Sequence, residues 1–271
     1  RCGKINKNVV FSWRKILSCV DSKSDIIFKN MVYESFLENR SKQLVLLIDP
    51  DKQTDDSLRS IATNAQECGV HSIFVGGSLV TSSTRNAIQI IKEHFHRPVI
   101  LFPGNANQVC EGPDAILFLS LISGRNAEFL IGNHVLAAPI IKNLHIETIP
   151  TGYILIDCGG ATSVEYMSNT RPIPYNKPDI AAATALAGEM LGLKALYLEG
   201  GSGANTFVNP EIISRVKKVC SIPLIVGGGI RTPETLRQVY ENGADIAVIG
   251  TIIEKQPTLL SEMMAVVNDF K

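Results

Sequence analysis

Three glycine clusters, each lying directly behind a short apolar run, restrict what this chain can fold into more than any other feature. They are Tyr197-Leu198-Glu199-Gly200-Gly201-Ser202-Gly203 after Ala195–Leu198, Val226-Gly227-Gly228-Gly229-Ile230 after Pro223–Val226, and Ile249-Gly250-Thr251 after Ile246–Ile249. Between them, Pro210–Val219 and Pro233–Asn242 carry apolar residues at helical period. The pattern is strand, glycine loop, helix, repeated, with the glycines at the carboxyl ends of strands. Glycine lets backbone N–H groups approach a ligand closely, and N–H groups converging beside a helix start favour an anion. In an eightfold α/β barrel a phosphate commonly sits on the loops after strands seven and eight. The first expectation is therefore a phosphate cup.

The upstream chain supplies the other strands. Leu44–Ile48 is an unbroken apolar run ending in Asp49-Pro50-Asp51-Lys52, as suits a strand buried on both faces of a parallel sheet. Ser72–Val75 precedes Gly76-Gly77-Ser78, followed by a helix over 82–94. Pro98–Phe102 reads as the third strand, but Pro103–Pro113 holds two prolines, two glycines and two asparagines. No ordinary helix fits there before the next strand, Ala115–Leu119, so the third barrel helix is predicted missing or reduced to a turn, leaving an open flank. Ala127–Ile141 reads as a helix, and His145–Pro150 with Tyr153–Asp157 as a long, interrupted fifth strand. Cys158–Pro174 exceeds an ordinary connection in length and is expected to cover a site. Lys177–Leu191 is a strong Ala-rich helix, and Pro257–Asn268 supplies a last one. The count is eight strands, which predicts a modified (β/α)8 barrel of the α/β class. A short amphipathic helix over Met31–Ser41 is expected under or beside it. The runner-up, an open doubly wound sheet, would not bring glycines from strands two, six, seven and eight together.

No Pro/Gly/Ser-rich linker divides 31–271, so one domain is expected, preceded by an extension, Arg1–Asn30, to which no role is assigned. Lys+Arg and Asp+Glu both total 26, and a formal charge of zero argues against nucleic acid as a partner. Six scattered cysteines without a Cys-x-x-Cys pair suit reduced thiols and a cytoplasmic protein rather than a disulfide frame or a zinc site. No apolar run reaches the roughly 18 residues of a membrane span. Exposed apolar helix faces lead to the expectation of a homo-oligomer.

Two acids stand at strand ends. Asp49 follows strand one, and Pro50 holds its backbone extended at the rim. With Ser78 it resembles a hard-cation site, since Mg²⁺ takes few protein oxygens and fills its shell with water and phosphate. The plainer reading is that Asp49 caps the next turn. Glu199 ends strand six inside a glycine cluster, where it suits a hydrogen-bond acceptor or general base toward a substrate hydroxyl. Its plainer readings are a helix cap or an ion pair with Arg231. Tyr197 shares a face with Glu199 and either offers its hydroxyl to a ligand or fills the barrel core. A phosphosugar isomerase with Asp49 and Asp157 as its two acids remains the alternative, and a phosphate-ligand sensor would use the same cup without turnover.

Several segments together resemble the geranylgeranylglyceryl phosphate synthase family: LLIDPDK, FVGGSLVT, RPIPYNKPDIAAATALAGEMLG, YLEGGSGA, PLIVGGGIRTPE and ADIAVIGTIIE. The resemblance covers nearly all of the chain from Met31 onward, and its IDPDK motif is similar to the second group of the family. It implies a Mg²⁺-dependent prenyltransferase on a (β/α)8 barrel lacking the third helix. The implied acceptor is sn-glycerol 1-phosphate and the implied donor a long prenyl diphosphate, typically geranylgeranyl, joined in ether phospholipid synthesis. By motif, Asp49 and Ser78 match its Mg²⁺ positions. Tyr197, Leu198, Glu199, Gly200, Gly201, Ser202 and Gly203, with Gly228, Gly229, Gly250 and Thr251, match its glycerol phosphate site. Asp49 and Glu199 are the expected catalytic residues. Leu47 stands where the family's other group carries a lysine, so that phosphate contact is not expected here. A transient contact with a membrane surface is expected as the lipid product leaves.

Overall fold

The eight apolar runs pair in sequence order and close on themselves. In the computed structural model, which describes residues 31–38 and 41–270, the strands are β1 Gln43–Ile48, β2 Ser72–Val75, β3 Val99–Leu101, β4 Ala115–Leu121, β5 Glu147–Leu155, β6 Ala195–Glu199, β7 Leu224–Gly227 and β8 Ile246–Ile249. Every neighbouring pair is parallel, and β1 pairs with both β2 and β8, which closes the barrel. The helices are α1 Met31–Glu38, α2 Asp55–Cys68, α3 Thr84–His94, α4 Asn133–Leu144, α5 Ser163–Ser168, α6 Pro178–Met190, α7 Pro210–Val219, α8 Pro233–Glu241, α9 Thr251–Lys255 and α10 Leu259–Asn268. The extension 1–30 lies outside the described residues.

Alternation along the strands sorts the core into two shells. Val45, Phe74, Ile100, Leu117, Tyr197 and Ile225 point into the barrel, while Leu44, Ile73, Val99, Ile116, Leu196 and Leu224 face the helices. The barrel's amino-terminal mouth is sealed by α1. Val32 and Phe36 join the inner shell, and both Glu147 carboxylate oxygens accept from the Val32 and Tyr33 N–H groups at 3.0 and 2.8 Å. Sealing that end leaves the carboxyl ends of the strands as the open face.

Between β3 and β4 the chain makes a single 3-10 turn, Ala106–Gln108, in place of the third barrel helix, as its prolines and glycines predict. The fifth strand, however, runs without interruption through Pro150, which pairs opposite Phe118. Proline withholds one ladder donor, yet its carbonyl still accepts from Lys194 N–H at 2.7 Å, so the strand survives the loss. The fourth helix is also subdivided: a π turn, Glu128–Gly132, opens it before α4 begins. The long segment after β5 folds into α5 and a bridge between Ile156 and Ile173, and two short elements were not foreseen, α5 and α9.

Candidate active site

At the carboxyl face, β1, β2, β6, β7 and β8 deliver their end residues into one cavity of about 440 Å³. Asp49 and Lys52 from β1, Gly77 and Ser78 from β2, and Ser202, Gly203, Gly228, Gly229, Gly250 and Thr251 from the far side all line it. Its floor is aromatic. Tyr153 and Tyr197 lie opposite one another in register, their ring centroids 5.2 Å apart, and Phe102 packs 5.4 Å from Tyr197.

Glu199 stands on that floor, only 6% exposed. One carboxylate oxygen accepts from the Gly201 N–H at 2.6 Å and the other from the Tyr153 hydroxyl at 3.1 Å, with Tyr197 also bonded to the group. Burial raises its pKa, and these donors, which favour the charged form, only partly offset that. A carboxylate held near a cavity with a raised pKa is suited to take a proton. Neither plainer reading holds: Glu199 caps no helix, and Arg231 instead donates to the Ala204 and Asn205 carbonyls, tying down the glycine loop. Tyr197 is fully buried, which matches its plainer reading as a core ring, and its hydroxyl bonds to Glu199, a partner not foreseen for it.

The glycines are required by geometry at β7. Gly228 has φ +86°, and a Cβ there would come within 2.7 Å of Gly201 N and 2.9 Å of Glu199 Oε1. Gly229 is likewise left-handed, at φ +74°. A side chain at either would strain the backbone and press on the loop that positions Glu199. Leu198 departs from expectation, turning its side chain into the outer shell, and Gly200 stands behind the cavity wall.

Across the cavity, Asp49 is extended (φ −92°, ψ 111°), as Pro50 requires. It also caps the following turn, accepting from Asp51 N–H at 3.2 Å, so the capping and rim readings coexist. Its other oxygen lies 3.0 Å from Lys52 Nζ. A Cβ on Gly77 would meet the Asp49 carboxyl carbon at 3.4 Å, so the β2 loop closes directly over the acid. Asp51 secures that loop by accepting from the Thr81 and Ser82 N–H groups at 2.9 and 2.7 Å, which with the Thr81 hydroxyl bond pulls its pKa down to about 2. The described residues contain no cluster of three or more His, Cys, Asp or Glu. Asp49 and Ser78 line the same cavity and offer one carboxylate and one hydroxyl, hard oxygens of the kind that suits an ion keeping water and phosphate in its shell, such as Mg²⁺. They do not fit zinc.

A second, apolar compartment adjoins the first. It shares Gly77, Ser78, Phe102, Tyr153 and Val164 with it and runs between the 3-10 turn, β4 and the start of α4. Ala106, Val109, Phe118, Leu119, Phe129 and Ala137 form its walls, so the groove occupies the flank from which the third helix is missing. Asp157 reaches neither compartment: it is exposed and accepts from Gly159 N–H at 3.2 Å. A two-acid isomerase using Asp49 and Asp157 therefore has no geometric basis. Lys52 and Tyr153 were not singled out in the sequence. Lys52 lies one turn beyond Asp49, and Tyr153 sits on an inward position of β5, so turn spacing and strand alternation were the signals available.

The PcrB family model matches residues 35–269. The geranylgeranylglyceryl phosphate synthases of Spirosoma linguale and Chitinophaga pinensis are each 46% identical to this chain, over 230 and 243 residues. Those alignments cover 84% and 88% of this chain and 92% and 96% of the relatives. The crystal structure of (S)-3-O-geranylgeranylglyceryl phosphate synthase from Thermoplasma acidophilum, in complex with its substrate sn-glycerol-1-phosphate, superposes with a TM-score of 0.84 at 33% identity, covering 88% of this chain and 98% of that one.

Proposed function

The chain belongs to the PcrB family, and we propose from that membership and the site's geometry how it joins sn-glycerol 1-phosphate to a prenyl diphosphate. The reaction is that of the geranylgeranylglyceryl phosphate synthases it resembles: the C3 hydroxyl of the acceptor replaces diphosphate on C1 of the donor, forming the ether bond of an ether phospholipid precursor. One observation carries the mechanism, namely a polar cavity with a glycine wall and an acid on opposite sides, opening into an apolar groove.

The acceptor phosphate rests against Ser202, Gly203, Gly228, Gly229, Gly250 and Thr251, where backbone N–H groups and the start of α9 suit an anion. Glu199 then faces the glycerol body, orients the C3 hydroxyl and takes its proton as the carbon–oxygen bond forms. Tyr153 and Gly201 keep that carboxylate in place. Asp49, Ser78 and Lys52 define the donor diphosphate's position, and Asp49 and Ser78 would hold Mg²⁺, whose contribution would be to neutralise charge on the leaving diphosphate. The prenyl chain lies in the apolar groove.

Mg²⁺ dependence, a cytoplasmic location, a brief membrane contact during product release and self-association belong to the same proposal. Self-association is supported by Val135 and Leu136 on α4, each 64% exposed, and by Met190 and Leu191 at the end of α6, 78% and 81% exposed. Incubation with labelled sn-glycerol 1-phosphate, Mg²⁺ and prenyl diphosphates of several lengths tests the activity. An ether-linked product is expected, and absence of product with every donor would overturn it.

A further inference from the structure

Glu199 and Gly201 line two spaces at once. On one side is the cavity described above. On the other is a small chamber of about 10 Å³, room for about one water molecule. Its walls include Cys158, Thr162, Asp157 and Glu165. The partition is α5 with its cap: Ser163 and Val164 face the substrate cavity, whereas Thr162 and Glu165 face the chamber. Asp157 is exposed and Glu165 partly so, and the chamber thus runs from a buried carboxylate to two carboxylates in contact with solvent.

A buried base must discharge its proton before the next turnover. Its route through the substrate cavity is blocked while acceptor and diphosphate occupy it. We propose that the chamber is the proton exit of the transfer reaction, passing the proton from Glu199 through an enclosed water to Glu165 or Asp157 and then to bulk solvent. The inference rests on Glu199 acting as the base. The balance is complete. The acceptor O–H bond breaks and its electron pair forms the bond to the donor carbon. The C–O bond to diphosphate breaks, the pair leaving with diphosphate, and the proton passes from Glu199 to water to a surface carboxylate. Tyr153 and Tyr197 face Glu199 from β5 and β6, and burial and its negative charge raise both phenols well above their usual range, so they stay protonated as donors. Cys158 is a neutral wall, its thiol pushed up to about 12, chiefly by burial. Glu165 and Asp157 are positioning groups in this scheme, because neither touches the reacting atoms.

The test is the double variant Glu165→Gln, Asp157→Asn, assayed at fixed pH and ionic strength over a range of imidazole buffer concentrations. Both changes lie at or near the surface. In dilute buffer, kcat is expected to fall by about tenfold, less than the hundredfold or more supplied by a group that itself takes the reacting proton. The acceptor's KM is expected to hold, and rising buffer should restore kcat, while wild type shows no buffer dependence. Either an unchanged kcat at every buffer concentration or a loss that buffer does not restore would overturn the exit. Glu199→Gln separates the two claims: if it retains full turnover, the base itself is misassigned, whatever the double variant does.

Discussion

Glu199 owes its chemistry to where β6 ends. As an inward residue two positions beyond Tyr197, it is forced onto the aromatic floor of the cavity, where it is almost fully buried. Burial raises its pKa, so it stays protonated to a higher pH than the ordinary carboxylate value of about 4.3. Activity needs the ionised form, and the acid limb of kcat/KM is therefore expected above that value, with turnover rising as the group deprotonates. A limb at or below the ordinary value would contradict this. Removing the supporting phenol, Tyr153→Phe, deletes one donor to the carboxylate and is expected to move the limb further upward. Asp51 behaves in the opposite sense. Bonds from Thr81 and Ser82 depress its pKa to about 2, so its hold on the β2 loop is complete above about pH 4 and is lost as pH falls through that depressed value. Asp51→Asn is expected to weaken donor binding, read as a raised KM for the prenyl diphosphate with the acceptor's KM unchanged. Equal shifts in both would refute a role confined to the donor side.

At the scale of elements, α1 closes the barrel because Glu147, buried at the start of β5, satisfies two of the helix's unpaired N–H groups. Glu147→Ala is expected to cost about 1–3 kcal/mol, lowering Tm by roughly 2–4 °C per kcal/mol for a chain of this size. Glu147→Gln, which keeps one acceptor, should recover part of it; an unchanged Tm in the alanine variant would show that α1 is held by Val32 and Phe36 alone. These elements also show which parts of the fold were legible in the chain. Continuous apolar runs such as Leu44–Ile48 marked the strands, because a parallel sheet buries both faces. The proline and glycine content of 103–113 marked the absent helix. The continuity of β5 was hidden because Pro150 breaks a propensity pattern, while tertiary pairing with β4 overrides it. Likewise α5 and α9 are too short to show a period, and both border the site. Asp49 and the glycine cup were legible from strand-end position. The Tyr153 contact to Glu199 was not, since it depends on register between β5 and β6.

For the whole molecule, the barrel brings a glycine wall, an acid and one apolar groove to a single face, and the missing helix supplies the groove's space. Exposed apolar side chains on α4 and α6 predict a species larger than one chain by light scattering at micromolar concentration, whereas a purely monomeric mass would remove self-association from the account. The central claim is that the glycine wall and Asp49 serve different substrates across one cavity. It is tested most directly by Asp49→Asn, measuring calorimetric binding of sn-glycerol 1-phosphate beside ether-product formation with Mg²⁺ and geranylgeranyl diphosphate. Acceptor affinity should stay within a few fold of wild type while turnover falls by about 10³-fold, since the lost group acts only on the departing diphosphate. Loss of acceptor binding together with turnover, or turnover that survives the substitution, would contradict it.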